Sequence, residues 1–116
     1  MLVTIIIKRE IHEGLEKEFF SHFKKLRGEA MKQKGYISGE TLLCAENTHK
    51  VTVISKWESL EDWNNWKTSA KRLEIEATLG ILQSKPAEYD QYVSSKYKAA
   101  AEQGFPAPLD EQYLYV

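Results

Sequence analysis

The hydrophobic period of this chain switches between two residues and three-to-four, and the order of the switches restricts its fold more than any single motif. Leu2 to Lys8 is short, apolar and β-branched, which predicts a strand. The stretch "HEGLEKEFFSHFKKLRGEAMKQKG" then repeats Leu15, Phe19, His22, Phe23, Leu26 and Ala30 at steps of three and four. With Lys and Glu on the other side, it predicts a long helix that Gly35 stops. "YISGETLLC" and "KVTVISKWE" read as strands joined by the polar turn "AENTHK". Ser59 caps a second helix, with Asp62 three residues on as a weak capping box. Leu60, Trp63, Trp66, Ala70, Leu73, Ala77 and Ile81 form its stripe, and "KTS" breaks or kinks it near Thr68. "KPAEYDQYVS" is the last strand, with Pro86 at its start. The order βαββαβ predicts a ferredoxin-like α+β fold, one antiparallel sheet with two helices on one face.

That sheet has apolar residues on both faces. Val3, Ile5 and Ile7 point one way, Leu2, Thr4 and Ile6 the other, and Val51 and Val53 alternate with Thr52 and Ile54. Two helices cover one face only, so a second copy is expected on the other, making a homodimer. The domain is expected over residues 1–93. Residues 94–116 form a C-terminal extension that ends in "YLYV" and is expected to dock on the domain or its dimer partner.

At 116 residues the chain fits one domain. Its 17 acidic and 16 basic side chains nearly cancel, and no basic stretch interleaves with aromatics, so no nucleic-acid partner is expected. Cys44 is the single cysteine, which excludes an internal disulfide, and no paired Cys/His spacing suggests a metal site. No glycine-rich phosphate loop supports NAD or FAD binding. The opening run lacks the basic start and cleavage site of a signal peptide. No apolar run approaches the roughly 20 residues that span a bilayer, so no membrane partner and a cytoplasmic location are expected.

Residues 1–93 resemble the antibiotic biosynthesis monooxygenase (ABM) domain family. The resemblance is carried by the opening apolar strand, "EGLEKEF" leading into the first helix, "KGYISGETLL", and "VISKWESLEDWNNWKTS" with its tryptophan-ended strand and aromatic helix. It implies a dimeric α+β barrel with a pocket between sheet and helices in each subunit. The family mixes cofactor-free oxygenases of aromatic phenols, quinol oxygenases, haem degraders and proteins without known activity. Haem degraders in it use a first-strand asparagine, a helix tryptophan and a helix histidine. Trp66 matches the tryptophan, but "LVTIIIK" has no asparagine and "KTSAKRLEIEATLG" no histidine. The expected activity is therefore a cofactor-independent monooxygenase acting on a small aromatic phenol or quinol. The alternative is a non-catalytic ligand-binding or structural dimer of the same fold, and a third reading is an isomerase or stress-related protein.

The candidate catalytic residues are His22, Asn64 and Asn65. His22 falls inside the apolar stripe of the first helix, and an imidazole can take a phenolic proton near neutrality. Asn64 and Asn65 beside Trp66 resemble the asparagine–tryptophan pair of some cofactor-free members, where an amide would donate to a developing oxyanion. Trp66, Phe19, Phe23 and Tyr36 are the candidate substrate-binding residues. Trp57 and Trp63 are expected to be packing. Tyr89 and Tyr92 can supply pocket hydroxyls or sheet packing, and Arg72 can bind an anionic group or face water.

Overall fold

The computed structural model describes residues 2–94. Beyond Ser94, the extension expected to dock lies outside the described residues, Tyr113 to Val116 included. The elements are β1 (Val3–Glu10), α1 (Glu16–Ala30), β2 (Tyr36–Leu43), β3 (Lys50–Trp57), α2 (Leu60–Lys67), α3 (Ala70–Leu82) and β4 (Glu88–Val93). The strands form one antiparallel sheet in the order β2-β3-β1-β4, the ferredoxin-like arrangement.

β1 is central, with Ile5 paired to Ser55 on one edge and Gln91 on the other. Its odd-numbered residues Val3, Ile5, Ile7 and Arg9 are buried beneath the helices. Arg9 thus stands in an aliphatic row, one step past the expected strand end at Lys8. On β2 the register shifts between Tyr36 and Ser38. That bulge turns both Tyr36, opposite Trp57, and Gly39, opposite Ser55, toward the helices.

α1 buries Phe19, Phe23 and Leu26, the i, i+4, i+7 stripe of an amphipathic helix. It is shorter than expected at both ends. Gly14 takes a left-handed φ of 86°, which a helix cannot contain, and the helix ends at Ala30, with residues 31–35 forming turns before β2. Gly35 is also left-handed (φ 85°), and a β-carbon there would collide with the Asp62 carboxylate.

The second helix is divided in two, which gives three helices rather than two. Thr68 Oγ1 donates to the Asn64 carbonyl at 2.8 Å, and Ser69 Oγ then caps α3 by accepting from Arg72 N at 3.2 Å. The break resets the helical phase. Leu73 and Ile81, expected in the apolar stripe, are 57% and 77% exposed. Arg72 and Leu79 are buried instead, with Ile75 and Glu76 half-buried between them.

No described helix covers the other sheet face. There Leu2, Leu42 and Tyr92 are exposed, and Ile6 and Ile54 sit opposite one another half-buried. Among the described residues no helix is long and apolar enough to cross a membrane.

Candidate functional site

A cavity of about 50 Å³ lies between the inner sheet face and the helices. Each element supplies a defined part of its lining. Ile7 and Arg9 come from β1, and Val53, Ser55 and Trp57 from β3. Tyr36, Gly39, Glu40 and Thr41 come from β2. Phe23, Leu26, Arg27 and Ala30 are the α1 wall, faced by Trp63 and Trp66 of α2 and Arg72 of α3.

The aromatic wall is interlocked. Trp57 meets Tyr36 edge-on at 5.5 Å and lies tilted against Trp63 at 5.7 Å, and its indole N–H donates to Ser55 Oγ at 3.1 Å. Phe23 stacks on Phe19 at 5.6 Å. At the seam between α1 and β2, exposed Arg27 reaches the Gly39 carbonyl at 3.5 Å, a long and weak hydrogen bond.

Two buried guanidinium groups stand in this apolar lining. Arg9 is 1% exposed and Arg72 3%. Arg9 donates to both oxygens of Glu76, to Oε2 at 3.0 Å and to Oε1 at 2.5 Å, and to Gln83 Oε1 at 3.0 Å. Arg72 Nη2 donates to the Tyr89 hydroxyl at 3.1 Å and lies 3.4 Å from Glu76 Oε1. Aromatic rings support both cations, Phe23 at 5.9 Å from Arg9 and Trp63 at 5.3 Å from Arg72. One carboxylate therefore serves two guanidiniums. Three donors of the lining, Arg9 Nε, Arg72 Nε and Trp63 Nε1, are buried without a hydrogen-bond partner among the described residues.

Of the residues expected from sequence, Trp66, Phe23 and Tyr36 border the cavity. Phe19 does not; wholly buried, it backs Phe23 from behind. His22 is half-buried on the flank of the α1 stripe, between the buried Phe19 and Phe23 positions, and is not among the lining residues. Asn64 and Asn65 are exposed on α2 and also stand off the cavity. Trp57 and Trp63 pack as expected and line the cavity as well. Arg9 and Glu76 had no place in the sequence reading. Extending the period-two row of β1 by one step finds Arg9. Restarting the helical phase at Ser69 brings Arg72 inward and Glu76 beside it.

Residues 2–78 match the sequence model of the antibiotic biosynthesis monooxygenase family. The chain is 42% identical over 52 residues to the uncharacterized protein YczJ of Bacillus subtilis, a match that covers 45% of this chain and about half (55%) of that protein. Among solved structures it is similar to a conserved protein from Methanosarcina mazei, with a TM-score of 0.75 and 22% identity over 79% of this chain and 91% of that one. It is also similar to SnoaB, a cofactor-independent oxygenase from Streptomyces nogalater, with a TM-score of 0.73 and 18% identity over the same shares. At such identities the likeness is one of fold.

Proposed function

Since this chain belongs to the antibiotic biosynthesis monooxygenase family, we propose that it oxidises a small phenol or quinol with O₂, without a bound cofactor, as a twofold dimer. The observation that carries this reading is the cavity's chemistry: three indoles, Phe23 and Tyr36 enclose a slot that also holds two guanidiniums. Trp66, Phe23 and Tyr36 are the substrate-contacting residues in this reading. His22, Asn64 and Asn65 stand off the cavity and are given no step.

For a phenol with a free para C–H the reaction balances without an external reductant. The phenol loses its proton, and the phenolate passes an electron to O₂. The two radicals join in a C–O bond at the para carbon. The O–O bond then breaks as the para proton leaves, giving quinone and water. One oxygen atom ends in the quinone and the other in water, and the ring supplies all the electrons. The protein's part is to bind the ring flat, hold charge on the phenolic oxygen and keep water from the reactive carbon.

The dimer is supported by the outer sheet face, where Leu2, Leu42 and Tyr92 remain exposed beside Ile6 and Ile54. Light scattering at micromolar concentration should give twice the chain mass; a monomer there removes this part of the proposal.

The reading is tested with 1-naphthol in an oxygen electrode. O₂ uptake is expected to match 1,4-naphthoquinone formed, one for one. Trp66→Phe should keep the fold and weaken naphthol binding by roughly tenfold or less. One observation favours a second reading, a ligand-binding dimer without turnover: the candidate catalytic residues His22, Asn64 and Asn65 do not line the cavity. The cavity is far smaller than the roughly 300 Å³ at which small-molecule sites begin, so under either reading a ring enters only if the walls part. Binding of 1-naphthol with no O₂ uptake would move the protein to that reading.

A further inference from the structure

We propose that the cavity takes its aromatic ligand as an oxyanion held by Arg9 and Arg72, so that the arginine pair, rather than a side-chain base, sets the ionisation of the bound phenol. The inference rests on the proposed function for the ring and on the geometry for the charge.

Charge is the first argument. Arg9 comes from β1 and Arg72 from α3, and both are shared by the single carboxylate of Glu76. Among the described residues, the other groups packed around them bring no compensating anion. Gln83 and Tyr89 are neutral hydrogen-bond partners, and Lys67 offers Arg72 its backbone carbonyl at 3.5 Å while its ammonium lies over the Tyr89 ring. Glu40 and Arg27, at the exposed side of the lining, are of opposite sign. Counted over the described residues, the cluster therefore carries one surplus positive charge in a largely apolar cavity, where an unpaired charge is costly.

Donor geometry is the second. Among the described residues, Arg9 Nε, Arg72 Nε and Trp63 Nε1 are all buried without an acceptor, and all belong to lining residues. Leaving such donors unmade costs free energy, more for charged groups. A phenolate oxygen brings several lone pairs and one negative charge, which answers both deficits. A neutral ring answers neither.

The test uses 4-nitrophenol, whose phenol and phenolate absorb at different wavelengths and whose para position is blocked, so binding is read without turnover. Added to wild-type protein just below the pH at which the free phenol ionises, it should show growth of the phenolate band, with phenolate bound roughly tenfold or more tightly than phenol. Arg72→Met and Arg9→Met should each cut that preference about tenfold. Lys71→Met, on the exposed side of α3, should leave it unchanged. Glu76→Gln should strengthen phenolate binding, because it removes the competing negative charge while keeping the shape; a merely structural role would weaken it. Circular dichroism identifies any variant that fails to fold, and the Glu76→Gln sign stands without the Arg9 variant. No growth of the band, equal binding of nitrobenzene, or weakening by Glu76→Gln overturns the inference. Phenolate preference without O₂ uptake from 1-naphthol keeps this inference and removes the oxygenase reading; O₂ uptake without phenolate preference does the reverse.

Discussion

Arg9 and Glu10 are neighbours on β1, yet they anchor two charge clusters of opposite character. Arg9 points under the helices and shares Glu76 with Arg72. Glu10 sits on the outer side, 3.8 Å from both Lys50 and Lys85, and Lys85 also reaches Glu88 at 3.2 Å. The outer cluster is balanced, two lysines against two carboxylates, and its lysines are about half exposed. The inner cluster is out of balance by one, and its guanidiniums are buried. Water screens the first, so its geometry can be loose and worth little. The second is largely shielded from water, so, among the described residues, its surplus charge and unpaired donors suit an anionic ligand.

The largest effect that separates the clusters is removal of the central carboxylate. Glu76→Ala strands two buried guanidiniums and should cost about 3 kcal/mol in urea unfolding, while Glu10→Ala should cost less than about 1 kcal/mol. Equal costs would break the comparison. Salt sharpens it next. At about 1 M salt the screening length is roughly 3 Å, so the Glu10→Ala difference should vanish and the Glu76→Ala difference should persist. A smaller effect is kinetic. Arg27→Ala removes the weak α1–β2 bridge and should speed 4-nitrophenol association in stopped flow, with stability unchanged within about 0.5 kcal/mol. An unchanged association rate would show that ligands enter elsewhere.

The smallest effect is a pH dependence confined to the outer cluster. The Lys85 pKa is raised, first by its hydrogen bond to Glu88 and then by the charge of Glu10. A raised lysine pKa adds stability that is fully present at neutral pH and lost as pH climbs through the lysine range. The urea-midpoint difference between wild type and Lys85→Met should therefore be slight and shrink toward zero in alkali. A difference that grows with pH would contradict this.

The fold was legible because its signals are periodic. Strands, helix faces and the double-sided apolar sheet all follow from spacings of two and of three to four, and the family resemblance rested on the same segments. The aromatic half of the cavity was legible too: Trp66 from the resemblance, and Phe23 from its place in the α1 stripe. The charged half was not. Reading one stripe through Thr68 put Leu73 and Ile81 inside, left Arg72 open between an anion contact and water, and passed over Glu76, because a capped break restarts a helix at a new phase. Ending β1 at Lys8 hid Arg9 by one residue. His22 misled for the opposite reason. Its spacing fits the stripe, but the stripe's centre is taken by Phe19, Phe23 and Leu26, and a flanking position meets the cavity only if the wall turns toward it.

The central claim is that the buried, unbalanced cluster is the ligand's anchor and the exposed, balanced one is not. A crystal structure of the protein with 4-nitrophenolate bound tests it most directly. The phenolate oxygen is expected within about 3.2 Å of a guanidinium nitrogen of Arg9 or Arg72, with the ring against Trp66. A phenolate found at Lys50 and Lys85, or in the cavity with its oxygen turned away from both arginines, would contradict it.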